Sequence, residues 1–267
     1  MRHDGGFADV SGTRLFYESV GDGPALALLH GFSLDTRMWD EQVAALAPRR
    51  RVLRYDMRGF GRSAPPSAPY SHAEDLRALL DHLGVESAAV AGLSMGGNVA
   101  LEFALSYPAR TSALILIDSM VGGIRWSPEV HAPMKAAWRA GREQGIEAAR
   151  ELWLAHPFFA TALRRPAVAQ RLRQMVGDYS GWHFVNRDPE QSLEPPVAEH
   201  LEQIAAPTLV IVGEEDVSDF RAMAELLARR IPRARLTTIP GAGHLAPLEA
   251  PAAVNEAIAG FLDSLEG

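Results

Sequence analysis

The chain has 267 residues, 47% of them hydrophobic and 22% charged, with a net charge of −7 and no cysteine. That length suits a single α/β domain with one insertion, and the apolar fraction is enough for a sizeable core, which excludes global disorder. Mild acidity without a basic block argues against a nucleic-acid partner, and the lack of cysteine removes disulfides, thiolate nucleophiles and Cys-based metal sites.

The N-terminus, Met1-Arg2-His3-Asp4-Gly5-Gly6, lacks the apolar centre of a signal peptide. No run approaches the ~18 apolar residues of a membrane span, so a cytoplasmic protein without a membrane partner is expected. Phe7–Val10 and Thr13–Val20 flank the turn pair Ser11-Gly12 and predict a β-hairpin. Ala25–Leu29 is a short apolar run, read as a buried strand that ends at His30-Gly31-Phe32. Met38–Leu46 has helical spacing, Arg51–Tyr55 is a further strand, and His72–Leu83 is a helix with Leu76, Leu79, Leu80 and Leu83 on one face.

The chain then reaches its most informative stretch, Val90-Ala91-Gly92-Leu93-Ser94-Met95-Gly96-Gly97. An apolar strand, Ala88 to Ala91, breaks into Gly-x-Ser-x-Gly and continues as a helix pattern from Asn98 to Leu105, the context of a nucleophile elbow. Small residues around Ser94 suit a turn too tight for neighbouring side chains. The following helix N-terminus favours negative charge developing beside the serine. A bare Gly-x-Ser-x-Gly is weak evidence, and the duller reading is a glycine-rich strand-to-helix turn.

Ser112–Ile117 is a strand closing at Asp118. From Val121 to Ala205 the alternation breaks: Met134–Arg142, Ile146–Leu154, Pro166–Val176 and Val197–Ile204 read as helices, and aromatic residues concentrate there. The expected organisation is a core of residues 1–120 and 206–267 with a helical cap inserted at 121–205. Strand Thr208–Val212, helix Phe220–Arg230, strand Arg235–Ile239 and helix Pro251–Leu265 resume the alternation. Such alternation implies a mostly parallel sheet covered on both faces.

A serine hydroxyl needs a base to take its proton and a third group to orient that base. Strand Thr208–Val212 runs into Gly213-Glu214-Glu215-Asp216 and strand Arg235–Ile239 into Gly241-Ala242-Gly243-His244, so both loops emerge at the sheet edge that carries Ser94. The chain order Ser94, Asp216, His244 is that of α/β-hydrolases. His30-Gly31-Phe32, Asp56 to Ser63, Gly92 to Gly97, Gly213 to Asp216, and Gly243-His244 with Glu249 and Pro251 together resemble the cap-bearing esterase and enol-lactonase group of the α/β-hydrolase superfamily.

The resemblance implies that Ser94 attacks an acyl carbon, His244 relays its proton and Asp216 orients His244. It implies an oxyanion hole made by the backbone N–H groups of Phe32 and Met95. Asp118, at the end of its own strand, is the rival for the acid. His30, Arg58 and Ser63 are expected to hold loops. Trp182 and His183, with Tyr179, either line the substrate mouth or form the cap's own core. Scattered histidines without ligand spacing predict no metal, and no cofactor is implied. The expected partner is a small-molecule ester or lactone, and the expected assembly a monomer or homodimer.

The leading expectation is hydrolysis of a small or medium ester or lactone through an acyl-serine. Serine at position 94 argues against dehalogenase and epoxide-hydrolase chemistry, which needs a carboxylate there. A 3-oxoadipate enol-lactonase, a perhydrolase and a C–C hydrolase are the nearest alternatives. A small-molecule receptor that retains the fold without turnover is the alternative of a different class.

Overall fold

The computed structural model describes residues 3–266; Met1, Arg2 and Gly267 lie outside the described residues. In chain order the elements are β1 (His3–Val10), β2 (Thr13–Val20), β3 (Ala25–Leu29), α1 (Asp40–Leu46), β4 (Arg51–Tyr55), α2 (His72–His82), β5 (Ala88–Leu93), α3 (Met95–Ser106) and β6 (Thr111–Ile117). There follow α4 (Pro128–Gln144), α5 (Ile146–Leu154), α6 (Ala160–Leu163), α7 (Pro166–Asp178) and α8 (Trp182–Val185). The chain closes with β7 (Thr208–Gly213), α9 (Ser218–Arg230), β8 (Ala234–Ile239), α10 (Ala246–Glu249) and α11 (Pro251–Asp263).

The strands form one eight-stranded sheet in the order β1-β2-β4-β3-β5-β6-β7-β8. The β1–β2 hairpin is antiparallel and β2 pairs antiparallel with β4, while every pairing from β4 to β8 is parallel. The middle strands are apolar at nearly every position: all six residues of β5 and of β7 are buried. Helices cover both faces there, so alternation of polar and apolar residues is not needed. Because β3 to β8 run the same way, their carboxyl ends share one edge. His30, Asp56, Ser94, Asp118, Asp216 and His244 all follow strand ends at that edge.

Two segments depart from the sequence-based expectation. Helix α4 starts at Pro128, not Met134, with Pro133 inside it. Pro128 sits at the first helical position, where its missing N–H costs nothing, and burial of Val130, Ala137 and Ala140 holds the helix through the interior proline. Val197–Ile204 is not an α-helix but two short 3₁₀ turns, Val197–Glu199 and Leu201–Gln203, which seat Val197, Leu201 and Ile204 in the core. The final helix, α11, opens at Pro251 as expected, and the short α10 precedes it.

Candidate active site

Ser94 sits between β5 and α3 with φ 54° and ψ −113°, a backbone conformation that costs a non-glycine residue about 1–3 kcal/mol. The surrounding glycines make it possible. A Cβ on Gly92 would lie 2.1 Å from the Gly96 carbonyl oxygen, and one on Gly96 would lie 2.4 Å from that of Leu29. A side chain at either position would force the elbow open.

His244 follows β8, and its Nδ1 lies 3.0 Å from Asp216 Oδ2, in the loop after β7. The other Asp216 oxygen accepts the Val217 N–H at 2.7 Å. With Nδ1–H donating to Asp216, Nε2 is left as the basic nitrogen. The imidazole packs against both Phe158 and Phe220, at centroid distances of 4.7 and 4.1 Å. Burial among these rings lowers the His244 pKa to about 4, against the opposing charges of Asp118 and Glu249. Glu249, buried in α10, holds the loop on both sides of His244: its carboxylate accepts the N–H groups of Gly243 at 2.9 Å and Leu245 at 3.0 Å. The sequence reading gave Glu249 no role; its signal was an acidic residue five positions after a strand-end histidine.

Ser94 and His244 line one cavity of about 290 Å³ together with Phe32 and Met95. The Ser94 hydroxyl makes no hydrogen bond to the His244 ring in this structure, and such contacts commonly tighten only when substrate is bound. The backbone N–H groups of Phe32 and Met95 donate to no described residue; Met95 is the first residue of α3, where no preceding turn supplies an acceptor. Phe32 and Met95, the two residues with these unpaired N–H groups, line the cavity with Ser94.

Asp118 enters the site as a neighbour of Asp216. It is fully buried with φ 44°, its Oδ1 accepts the Gly213 N–H at 2.7 Å, and its Oδ2 has no partner. Burial, followed by the charge of Asp216, pushes the Asp118 carboxyl well above the ordinary range, and burial pushes Asp216 up as well. Of the two, Asp216 is the better anion, since both its oxygens accept N–H donors. The proton therefore belongs on Asp118.

The supporting loops are pinned by buried polar groups. His30 bonds the Gly31 carbonyl through Nδ1 at 2.8 Å and accepts the Met57 N–H at Nε2, so it is neutral and fully engaged. Arg58 forms a buried two-point pair with Asp75, and the Ser63 hydroxyl joins the Asp56 carbonyl to the Phe16 N–H. Among the tentative pocket residues, His183 lines the cavity and Trp182 does not. Trp182 instead sets its indole against the His183 ring, centroids 4.9 Å apart, one layer behind the wall. The residues not singled out from sequence are the apolar wall itself, including Met120, Met134, Trp138, Trp153 and Phe159. Their positions depend on how helices α4 and α5 pack, which no local pattern encodes. Among the described residues no acidic or histidine cluster suits a metal ion, and no helix is long and apolar enough to cross a membrane.

Comparison with known proteins agrees with this architecture. Residues 24–251 match the family described as the alpha/beta hydrolase fold. A putative carbamate hydrolase, RutD, of Azorhizobium caulinodans is 29% identical over 265 residues, covering 98% of each chain. The crystal structure of the enol-lactonase from Burkholderia xenovorans LB400 superposes with a TM-score of 0.79 at 30% identity, covering 97% of this chain and all of that one. A thermophilic esterase from Thermogutta terrifontis superposes with a TM-score of 0.81 at 30% identity, covering 99% of this chain and 100% of the other. With its strand order, its elbow after the fifth strand and a family match over most of its length, this chain belongs to the α/β-hydrolase family.

Proposed function

We propose that this protein is a serine hydrolase that cleaves a small or medium carboxylic ester or lactone through an acyl-Ser94 intermediate. The observation that carries this reading is the joint presence, on one cavity, of a serine on a strained elbow, an imidazole held by a buried carboxylate, and two unpaired backbone N–H groups. His244 Nε2 takes the Ser94 proton as the hydroxyl attacks the carbonyl carbon, and the resulting oxyanion is held by the N–H groups of Phe32 and Met95. His244 then returns the proton to the leaving alcohol. In the second half-reaction it activates water to release the acid. Asp216 fixes the tautomer and stabilises the imidazolium. Residues 121–205 act as a cap, supplying Trp126, Met134, Trp138, Trp153 and Phe158 to the wall.

The similarity to an enol-lactonase and to an esterase supports a carboxylic-ester chemistry and leaves ester and lactone as one reaction class. The test is turnover of p-nitrophenyl esters from acetate to octanoate by the wild type and by Ser94→Ala. Serine-dependent turnover with an optimum at short or medium chains is expected, given the cavity size. Turnover that persists in Ser94→Ala overturns the acyl-Ser94 reading, and none by the wild type across the series and a lactone panel favours a receptor.

A further inference from the structure

Arg164 and Arg165 are the two residues that separate α6 from α7, within the helical segment 121–205. A residue before proline is driven out of the helical region, and Arg165, ahead of Pro166, is extended at φ −106° and ψ 105°. Its backbone is fixed on both sides. The N–H donates to the Ala162 carbonyl at 3.1 Å, and the carbonyl accepts the Ala169 N–H at 2.8 Å. The side chain therefore leaves from a rigid base.

The two arginines reach different loops of the core. Arg164 meets the Glu215 carboxylate, next to Asp216, but both side chains are largely exposed, and such a pair contributes little. Arg165 spans the loop that carries His244. One guanidinium nitrogen donates to the Glu249 carbonyl at 2.5 Å and another to the Gly241 carbonyl at 2.6 Å, so a single planar fork joins the two ends of residues 241–249.

Arg165 Nε also lies 3.9 Å from the Glu249 carboxylate, which is fully buried. Among the described residues no other arginine or lysine pairs with that carboxylate. Burying a carboxylate is costly unless it is both paired and hydrogen-bonded. Here Arg165 supplies the pairing, and the His244 loop supplies the hydrogen bonds through the N–H groups of Gly243 and Leu245. The same segment touches the loop twice more. A Cβ on Gly243 would lie 2.7 Å from that of Thr161, and the Phe158 ring packs on His244. Those two contacts are short-range packing; the Arg165 fork is the directional one.

We propose that Arg165 is a positioning residue: by closing residues 241–249 and pairing with Glu249, it holds His244 in line with Asp216. Its kinetic consequence rests on the ester-hydrolase reading. Docking of the helical segment is then part of assembling the base, in addition to covering the cavity.

The test is Arg165→Ala in the full-length chain, read in two ways. On p-nitrophenyl butyrate kcat should fall by about tenfold, the order of one charge-assisted hydrogen bond. KM should change little, since Arg165 does not line the cavity. Independently of turnover, the downfield proton resonance of His244 Nδ1–H, identified by its absence in His244→Gln, should broaden or shift. The guanidinium is partly exposed, so added ethylguanidinium can take its place and should restore part of both signals. Arg165→Lys returns the charge without the fork and should recover only part; it carries the test if alanine does not fold. Arg164→Gln should stay within about twofold of the wild type. An unaltered His244 resonance in a folded Arg165 variant overturns the assignment. So does a kcat loss accounted for by the unfolded fraction and not rescued by ethylguanidinium. If the wild type shows no Ser94-dependent turnover, the hydrolase reading fails by itself and the resonance alone decides the role of Arg165.

Discussion

The indole Nε1–H of Trp153 donates to the Ser33 hydroxyl across 2.7 Å, tying helix α5 to the residue that follows Phe32. Ser33 is itself held at φ 63°, and the Phe32 ring packs against Trp138, Trp153, Tyr179 and His183. The loop carrying one proposed oxyanion donor is thus braced from the helical segment above it. Trp153→Phe keeps the ring packing and removes the hydrogen bond. It should lower kcat on p-nitrophenyl butyrate by about 3- to 10-fold, the worth of one hydrogen bond, with a smaller change in KM. An unchanged kcat would show that the loop is positioned without it.

The burial of His244 sets the expected pH dependence. As the proposed base it must be neutral to act, and its pKa is lowered from 6.5 to about 4 by burial. The neutral form therefore prevails at pH 7, and kcat/KM should fall only as pH drops well below 6.5. Phe220→Ala admits water to the ring and should move this acid limb upward. An acid limb at pH 6.5 or above in the wild type would count against a desolvated base.

Stability should follow the same sign. His72 and His244 both have folded pKa values below the unfolded one, so the unfolded chain binds protons that the folded chain refuses. Their contribution is fully present above pH 6.5 and is lost as pH falls toward about 4. The raised pKa values of Asp118, Asp216 and Glu190 act in the opposite direction, so the histidine contribution is read as a difference: the ratio of the urea midpoint at pH 5 to that at pH 7 should be higher in His72→Asn than in the wild type, and an identical pH dependence would refute it.

Asp216 and Asp118 are expected to respond differently to the same substitution. Asp216→Asn removes the anion that fixes the His244 tautomer and should reduce kcat by about 10³- to 10⁴-fold, by analogy with the handling of this group in other triads. Asp118→Asn replaces a protonated carboxyl by an amide that still offers a donor, and should retain activity within about tenfold. Equal losses in two folded variants would reverse the assignment of the acid.

Some of this was legible in local sequence because the causes are local. Continuous apolar runs marked β3, β5, β6 and β7, since a strand buried on both faces has no polar side to show. The glycines around Ser94 marked the elbow, since a Cβ there would collide with backbone. The misreadings share the opposite character. The helix expected over Met134–Arg142 begins at Pro128 and runs through Pro133, and the apolar spacing of Val197–Ile204 matched a helix although two 3₁₀ turns seat the same side chains. Trp182 and His183, adjacent in sequence, parted because a helical turn sends neighbouring residues in different directions, so only His183 reaches the cavity.

The sequence by itself determined the strand–helix alternation, the order of Ser94, Asp216 and His244, and the common sheet edge from which they emerge, because each depends on periodicity and chain direction alone. Only the tertiary structure decided what surrounds them. Packing of residues distant in sequence sets His244 against Phe158 and Phe220, leaves Asp118 buried beside Asp216, braces Ser33 from Trp153, and gathers His72, Asp188 and Glu190 on one wall. Burial and proximity are properties of the folded chain, and they fix the charges and the cavity chemistry.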